Sequence, residues 1–495
     1  MLDGIAWLAN TLGVPVFAIW GLIGGGVFAT YLSTVKKDTT DKIATSGYSS
    51  LKDLKDFNQS NGIQLSENFT LKENLCFEHI AVIGPTGAGK TTSIFYPNLL
   101  QSESFSGGAS SLLITDPKGE LHRDTSHFQE SIGRKIRLFA PLDPKVSFKY
   151  NPLAYCQNAS DVIDLAGNLL ASGGKAIELQ SGKSGGSSEW INMAKPLWAA
   201  AMLYVWDKGD GINTISNALD LILEATPEQL EQLLKNHTNE EVRRQFNIFN
   251  QSAGSEKTVS SIKVTLSTNL QLFTDPAIRE LTSRNTFNFA ELRSVPTALY
   301  ISYPERHSAR IAPLLSIFFM QAVNSLMENT AKKDYLPCYF LFDEFANIGQ
   351  IPNFATLAST VRSRKISFLC CLQSKNQLRN VYGHFDETIL ANLKTKAIYG
   401  ALQDLDTTRY ISELCGEVEV RTKSTNKSDS DRADSYNYST SKKRLLTPDE
   451  VMRISKQDIL LLVHNNKPYK DKVNVFYTKD KYKANIRKVE PAATP

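Results

Sequence analysis

Short apolar runs punctuate the chain at "HIAVIG" from His79, "SLLIT" (111–115), "KIRLFAPL" (135–142), "TALYISY" (297–303), "CYFLF" (338–342), "SFLCCLQ" (367–373), "AIYGAL" (397–402) and "DILLLVH" (458–464). Many are continuous rather than alternating, the pattern of strands buried on both faces of a parallel sheet. "GIQLSENFTL" (62–71) alternates instead, and predicts one more strand ahead of them. Between about 159 and 273 the period becomes helical, in "DVIDLAGNLLAS", "SSEWINMAKPLWAAAMLYVWD", "TISNALDLILE", "TPEQLEQLLK" and "EEVRRQFNIFN". Thr226-Pro227-Glu228 marks one helix start, with Thr as N-cap and Pro at the first helical position. The pattern predicts an α/β sheet domain carrying an all-α insertion. Two stretches lose the periodicity. "SGGKAIELQSGKSGGSS" (172–188) predicts a flexible loop within the helical block, and "RTKSTNKSDSDRADSYNYSTSKK" (421–443) a mobile surface loop.

The N-terminus differs from all of this. No charged residue occurs from Gly4 to Val35, and "VPVFAIWGLIGGGVFATYL" (14–32) is long enough to cross a bilayer as a helix. Trp20 lies inside it, Tyr31 stands near one end as an interfacial anchor, and Lys36-Lys37 follow at once. By the positive-inside rule the large C-terminal portion is cytoplasmic, beyond a single-pass anchor in the inner membrane. Asp3 stands where a signal peptide would carry basic residues. The other reading of the segment is a buried glycine-rich core helix.

Length and composition narrow the rest. A chain of 495 residues suggests two or three domains, and 42% hydrophobic with 21% charged residues describes a mostly globular body. The net charge of +4 gives no general nucleic-acid signature, so any DNA-binding surface is a local patch or a pore lining. Six cysteines form no CxxC pair and, with His, no zinc spacing; they read as reduced, buried thiols.

"GPTGAGKT", Gly84 to Thr91, follows the strand "HIAVIG" and opens a helix, the context that makes GxxxxGK[ST] a phosphate-binding loop. The backbone of Gly84, Pro85, Thr86, Gly87, Ala88 and Gly89, with Lys90, Thr91 and Thr92, is expected to bind ATP. Lys90 reaches the β- and γ-phosphates, and the Thr91 hydroxyl ligates Mg2+. The loop needs a carboxylate at a neighbouring strand end, and "CYFLFDEFANIG" supplies Asp343 for the ion and Glu344 to orient and deprotonate water. Lys90 and Asp343 lie 253 positions apart (343 − 90), so the helical block falls between strands that remain neighbours in space. Asp116, Lys118 and Glu120 in "LLITDPKGEL" read equally as ligand-binding residues or as an ordinary strand-to-helix turn. Gln373, after "SFLCCL", is either a contact to the γ-phosphate or the catalytic water, or a satisfied strand-end amide. Arg362, with Arg364 and Lys365, is either an arginine finger for a neighbouring subunit or a solvated basic turn.

Together these stretches resemble the type IV secretion coupling proteins, the TraG-like conjugative ATPases. The resemblance runs from roughly Ile80 to Val463 and rests on "GPTGAGKT", "DPKGEL", "NPL" (151–153), "FDEFANIGQIPNF", "LQSKNQL" and "LLTPDEVMRI". It implies a RecA-like hexameric motor whose all-α domain faces relaxase and DNA. Single-stranded DNA with its bound relaxase would pass through a central channel into the secretion machinery. It also implies that Arg362 acts in trans and that Gln373 senses the γ-phosphate. Typical members have two N-terminal spans, against the single one found here, and some have long acidic tails, against the basic "KYKANIRKVEPAATP". The expected division is 1–36 anchor, 37–158 and 274–484 nucleotide-binding domain, 159–273 all-α insertion and 485–495 tail. Two other functions share these motifs. One is a substrate receptor in which ATP controls assembly. The other is an FtsK-type translocase, which usually carries a winged-helix domain for which no length is found after Asp449.

Overall fold

A computed structural model describes residues 47–182, 188–209, 211–328, 335–426 and 435–486. The expected span at 14–32 lies outside them. The strands are β1 Asn58–Gln64, β2 Thr70–Leu71, β3 Ile80–Ile83, β4 Ser111–Asp116, β5 Lys135–Phe139, β6 Thr297–Ser302, β7 Cys338–Phe342, β8 Ile366–Leu372, β9 Thr395–Tyr399, β10 Glu417–Asn426, β11 Ser435–Arg444, β12 Asp458–Val463 and β13 Tyr469–Lys472. The helices used below are α1 Glu120–Ser131, α2 Ala159–Ser181, α3 Ser188–Lys208, α4 Ile215–Glu224, α5 Glu240–Ser252, α6 Glu256–Asn269, α7 Ser308–Glu328 and α8 Lys375–Tyr382.

Among the described residues nine strands form one sheet in the order β13-β12-β9-β3-β8-β7-β4-β6-β5. From β9 to β5 every neighbouring pair is parallel, with Ile83 opposite Leu372 and Leu341 opposite Leu369. All residues of β3, β4, β7, β8 and β9 are buried, as the unbroken apolar runs require. Parallel strands end on one side of a sheet. The residues after β3, β8, β7 and β4 therefore line up along a single edge, with β8 between β3 and β7.

Between β5 and β6 the helices and helical turns take over. Asn158 and Asp161 close a capping box on α2. Thr226 and Gln229 close another on the turn that Pro227 opens, where the sequence predicts a helix start with Thr226 as its N-cap. α3 is the centre of this block, packed against α2, α4, α5 and α6. Its residues Leu197 to Leu203 are all fully buried, including Trp198, because neighbours cover every side of the helix. The block and the sheet belong to one compact unit, 48–415 with 446–495. α7 runs beside α2 and carries Phe318, stacked on Phe139 of β5, and Phe319, edge-on to Phe342 of β7.

Four expectations are corrected. The stretch 172–181 is the end of α2 rather than a loop. A Cβ on Gly173 would lie 2.1 Å from the carbonyl oxygen of Asn269, so this glycine permits close helix approach instead of breaking the helix. Most of 421–443 is likewise ordered, as β10 and β11 pair antiparallel from Glu417–Arg444 to Asn426–Ser435. Val418, Val420 and Thr422, then Tyr436, Tyr438 and Thr440, keep a period of two that a polar composition hides. The single strand expected at 62–71 is divided between β1 and β2, which pair antiparallel. The run at 458–464 forms β12, antiparallel to β9, since hydrophobicity carries no strand direction.

Gly173→Ala should destabilise the protein by about 1–3 kcal/mol through overpacking, read as a lower unfolding midpoint. Gly254→Ala, where a Cβ meets nothing within 4 Å, should leave the midpoint unchanged.

Candidate active site

The loop after β3 turns through Gly87 and Gly89 at φ 75° and 84°, values that side chains disfavour. A Cβ on Gly84 would come within 2.7 Å of the Tyr399 Cβ, so the first glycine is required by packing against β9. Lys90 is buried, and its Nζ donates to the carbonyls of Gly84 at 2.6 Å and Pro85 at 3.2 Å. The chain then winds through a π-helical turn, Thr91–Phe95, into the short helix Tyr96–Leu99. Thr91 Oγ1 donates to Asp343 Oδ2 at 2.9 Å. The hydroxyl of Thr92 returns to the Gly89 carbonyl at 3.0 Å, which braces the loop. Pro85, Thr86, Gly87 and Ala88 border a small cavity whose far wall is Tyr399, Gly400, Ala401 and Lys456.

At the end of β7, the Asp343 backbone N–H donates to Thr115 Oγ1 at 2.7 Å, which ties β7 to β4 beside the loop. Burial pushes the Asp343 carboxyl up to about 6; Glu344 and Asp116 add to the rise, while the Thr91 hydroxyl and Lys90 oppose it. Asp116 is also raised to about 6 by burial, although its Oδ2 accepts the His122 backbone N–H at 2.8 Å. Asp116 thus anchors α1 from beneath the site. Lys118 and Glu120 face solvent and approach each other at 3.8 Å.

Glu344 sits in the left-handed region, at φ 64° and ψ 62°. Its Oε2 accepts from Gln373 Nε2 at 2.7 Å and Asn347 Nδ2 at 3.3 Å. Gln373 is fixed in turn, because its backbone N–H donates to Gln377 Oε1 at 3.0 Å. Lys90, Thr91, Asp343, Glu344 and Gln373 therefore share one edge of the sheet. Arg362 does not. It precedes β8, whose seven residues separate it from Gln373 by about 20 Å at strand rise. Its guanidinium is 62% exposed and pairs with Glu78 Oε1 at 2.6 Å.

Sequence reasoning missed Thr115, Asn347, Tyr303 and Tyr399. Asn347 was legible as position four of "EFAN", within one helical turn of Glu344. Tyr303 gave no signal, yet its buried hydroxyl has no hydrogen-bond partner among the described residues. Burial raises this phenol well above its ordinary value, and Asp343, Glu344 and Asp116 add to the rise.

One hydroxyl and one carboxylate oxygen in contact, Thr91 and Asp343, suit a small hard cation that keeps most of its waters and takes phosphate oxygens. Among the described residues no group of three or more His, Cys, Asp or Glu forms a fuller protein cage. The donor set fits Mg2+ shared with a nucleotide.

Residues 34–494 match the family described as type IV secretory system conjugative DNA transfer. Protein VirD4 of Rhizobium radiobacter is 28% identical over 415 residues, covering 81% of this chain. The chain spans only 57% of that protein's length. Among solved structures, the bacterial conjugative coupling protein TrwBdeltaN70 superposes with a TM-score of 0.67 at 19% identity, covering 87% of this chain and 93% of that one. TrwB in complex with ADP and Mg2+ superposes with a TM-score of 0.64 at 18% identity, over 87% and 94%. The mixed central sheet thus shares its fold with these coupling-protein structures.

Because the folded pKa of Asp343 is raised above its unfolded value, the native state binds the extra proton between about pH 4 and 6. Stability therefore falls as pH rises through that window, and the full cost is present at pH 8. Asp343→Asn should raise the unfolding midpoint of nucleotide-free protein at pH 8, by about 1–2 kcal/mol. The gain should vanish by about pH 4, below the window. Equal midpoints at pH 8 would rule out the buried-charge account.

Proposed function

The chain belongs to the type IV secretory system conjugative DNA transfer family, and from that premise we propose that it is a membrane-anchored, Mg2+-dependent ATPase that moves DNA. The carrying observation is the Thr91–Asp343 contact, with Glu344 and Gln373 beside it on the same sheet edge. The loop from Gly84 to Thr91 binds the phosphates of ATP through backbone N–H groups, and Lys90 supplies a fixed positive charge. Thr91 and Asp343 would hold Mg2+, which when bound would supply neutralisation of phosphate charge. Glu344 orients a water and takes its proton as that water attacks the γ-phosphorus. Gln373 holds Glu344 and senses the γ-phosphate, a reading that its hydrogen bond to Glu344 supports.

Arg362 acts on a neighbouring subunit's site. Its exposure and its distance from its own loop support this reading, and a ring, taken as a hexamer, supplies the neighbour. The helices between β5 and β6 form the all-α domain that meets the relaxase, while residues 14–32 anchor the motor beside the secretion channel. The substrate is single-stranded DNA with its bound relaxase, which explains why a net charge of only +4 suffices, since only a channel lining need be basic.

Glu344→Gln should lower ATP turnover by about two to four orders of magnitude with nucleotide binding kept. Hydrolysis by the unaltered protein should rise with protein concentration and with added single-stranded DNA. A rate indifferent to both would sink the DNA-driven ring.

Lys90→Ala and Arg362→Ala proteins should each be inactive alone. Mixed together they should recover activity, because the intact site of one meets the intact arginine of the other. Failure to recover would place the arginine outside the chemistry.

A further inference from the structure

Glu344 occupies a left-handed backbone conformation that non-glycine residues rarely adopt. Such a conformation persists only where the surroundings over-determine it. Here the 3-10 turn Phe345–Ile348 follows at once, and the Asn347 backbone N–H donates to the Glu344 carbonyl at 2.9 Å. Phe345 is fully buried and stacks on Tyr382 with ring centroids 5.5 Å apart. The Tyr382 hydroxyl accepts the Ile351 backbone N–H at 3.2 Å, which closes the turn from its far side. The backbone is therefore fixed before any contact of the Glu344 side chain itself is counted.

The side chain of Glu344 needs its own restraint. Two amides provide it, and both converge on Oε2: Gln373 Nε2 from β8 at 2.7 Å and Asn347 Nδ2 from the turn at 3.3 Å. Oε1 accepts no hydrogen bond among the described residues, which leaves it as the oxygen for a water. Neutral amide donors suit a general base. They hold the carboxylate in place without neutralising it as a guanidinium would.

We propose that Asn347 is a positioning residue for hydrolysis, holding Glu344 Oε2 so that Oε1 takes the proton of the attacking water. This rests on the reading of Glu344 as general base. Asn347 also borders a cleft with Ala176, Ala312, Gly349 and Val381.

The test compares Asn347→Ala and the near-isosteric Asn347→Asp in ATP turnover at pH 7.5, with nucleotide affinity measured separately. Loss of the amide should lower kcat by about ten-fold or more while KM and nucleotide affinity stay within about two-fold. The Asp variant, which puts an acceptor where the donor stood, should lose kcat likewise. Asn347→Gln, which keeps the amide, should restore part of kcat. A kcat that is unchanged, or one that falls together with nucleotide affinity, overturns the proposal and leaves Asn347 as a turn residue. Glu344→Gln, assayed in parallel, separates the two ideas. If that protein still turns over ATP, the reading of Glu344 is wrong whatever Asn347 does.

Discussion

One hydrogen bond organises this molecule, the 2.9 Å contact from the Thr91 hydroxyl to Asp343 across 252 positions of chain. For it to exist, β3 and β7 must end at the same level with only β8 between them. That condition disciplines everything in between. The chain leaves β5 at Phe139, builds its helices, and returns at Thr297 to a strand that pairs directly with β5, Lys135 opposite Thr297. The excursion is long, but it begins and ends on adjacent strands, so it adds length without disturbing the edge on which the chemistry stands.

The same edge concentrates unfavourable terms. Asp116 and Asp343 are both raised to about 6 by burial, and Glu344 stands beside them in a left-handed conformation. The buried Tyr303 hydroxyl adds an unsatisfied polar group to the neighbourhood. Such costs gather where chemistry is done and are offset elsewhere. The counterweight here is the double-sided apolar burial of β3, β4, β7, β8 and β9.

The contrast between what the sequence revealed and what it hid follows from locality. Strands buried on both faces announce themselves as unbroken apolar runs, and the phosphate loop carries its own strand and helix. Asp343 and Glu344 were legible because a carboxylate pair directly follows such a run. Nothing local encodes strand order, so the central place of β8 and the reversed direction of β12 appear only in three dimensions. Gly173 misled for a related reason. Its glycine serves a contact with Asn269, almost a hundred positions away, and reads in sequence as a break. The ribbon of β10 and β11 was hidden by the opposite fault, a composition that spoke louder than its alternation.

α7 carries a practical warning. With the helical turn before it, α7 forms a stretch Glu305–Glu328 long and apolar enough to cross a membrane, yet most of its most apolar part is buried inside the protein. A topology drawn by counting apolar helices would thread it through the bilayer. That drawing would strand Thr91 on one side of the membrane and Asp343 on the other. Their shared hydrogen bond forbids it, so α7 has to be left out of any count of spans in this chain.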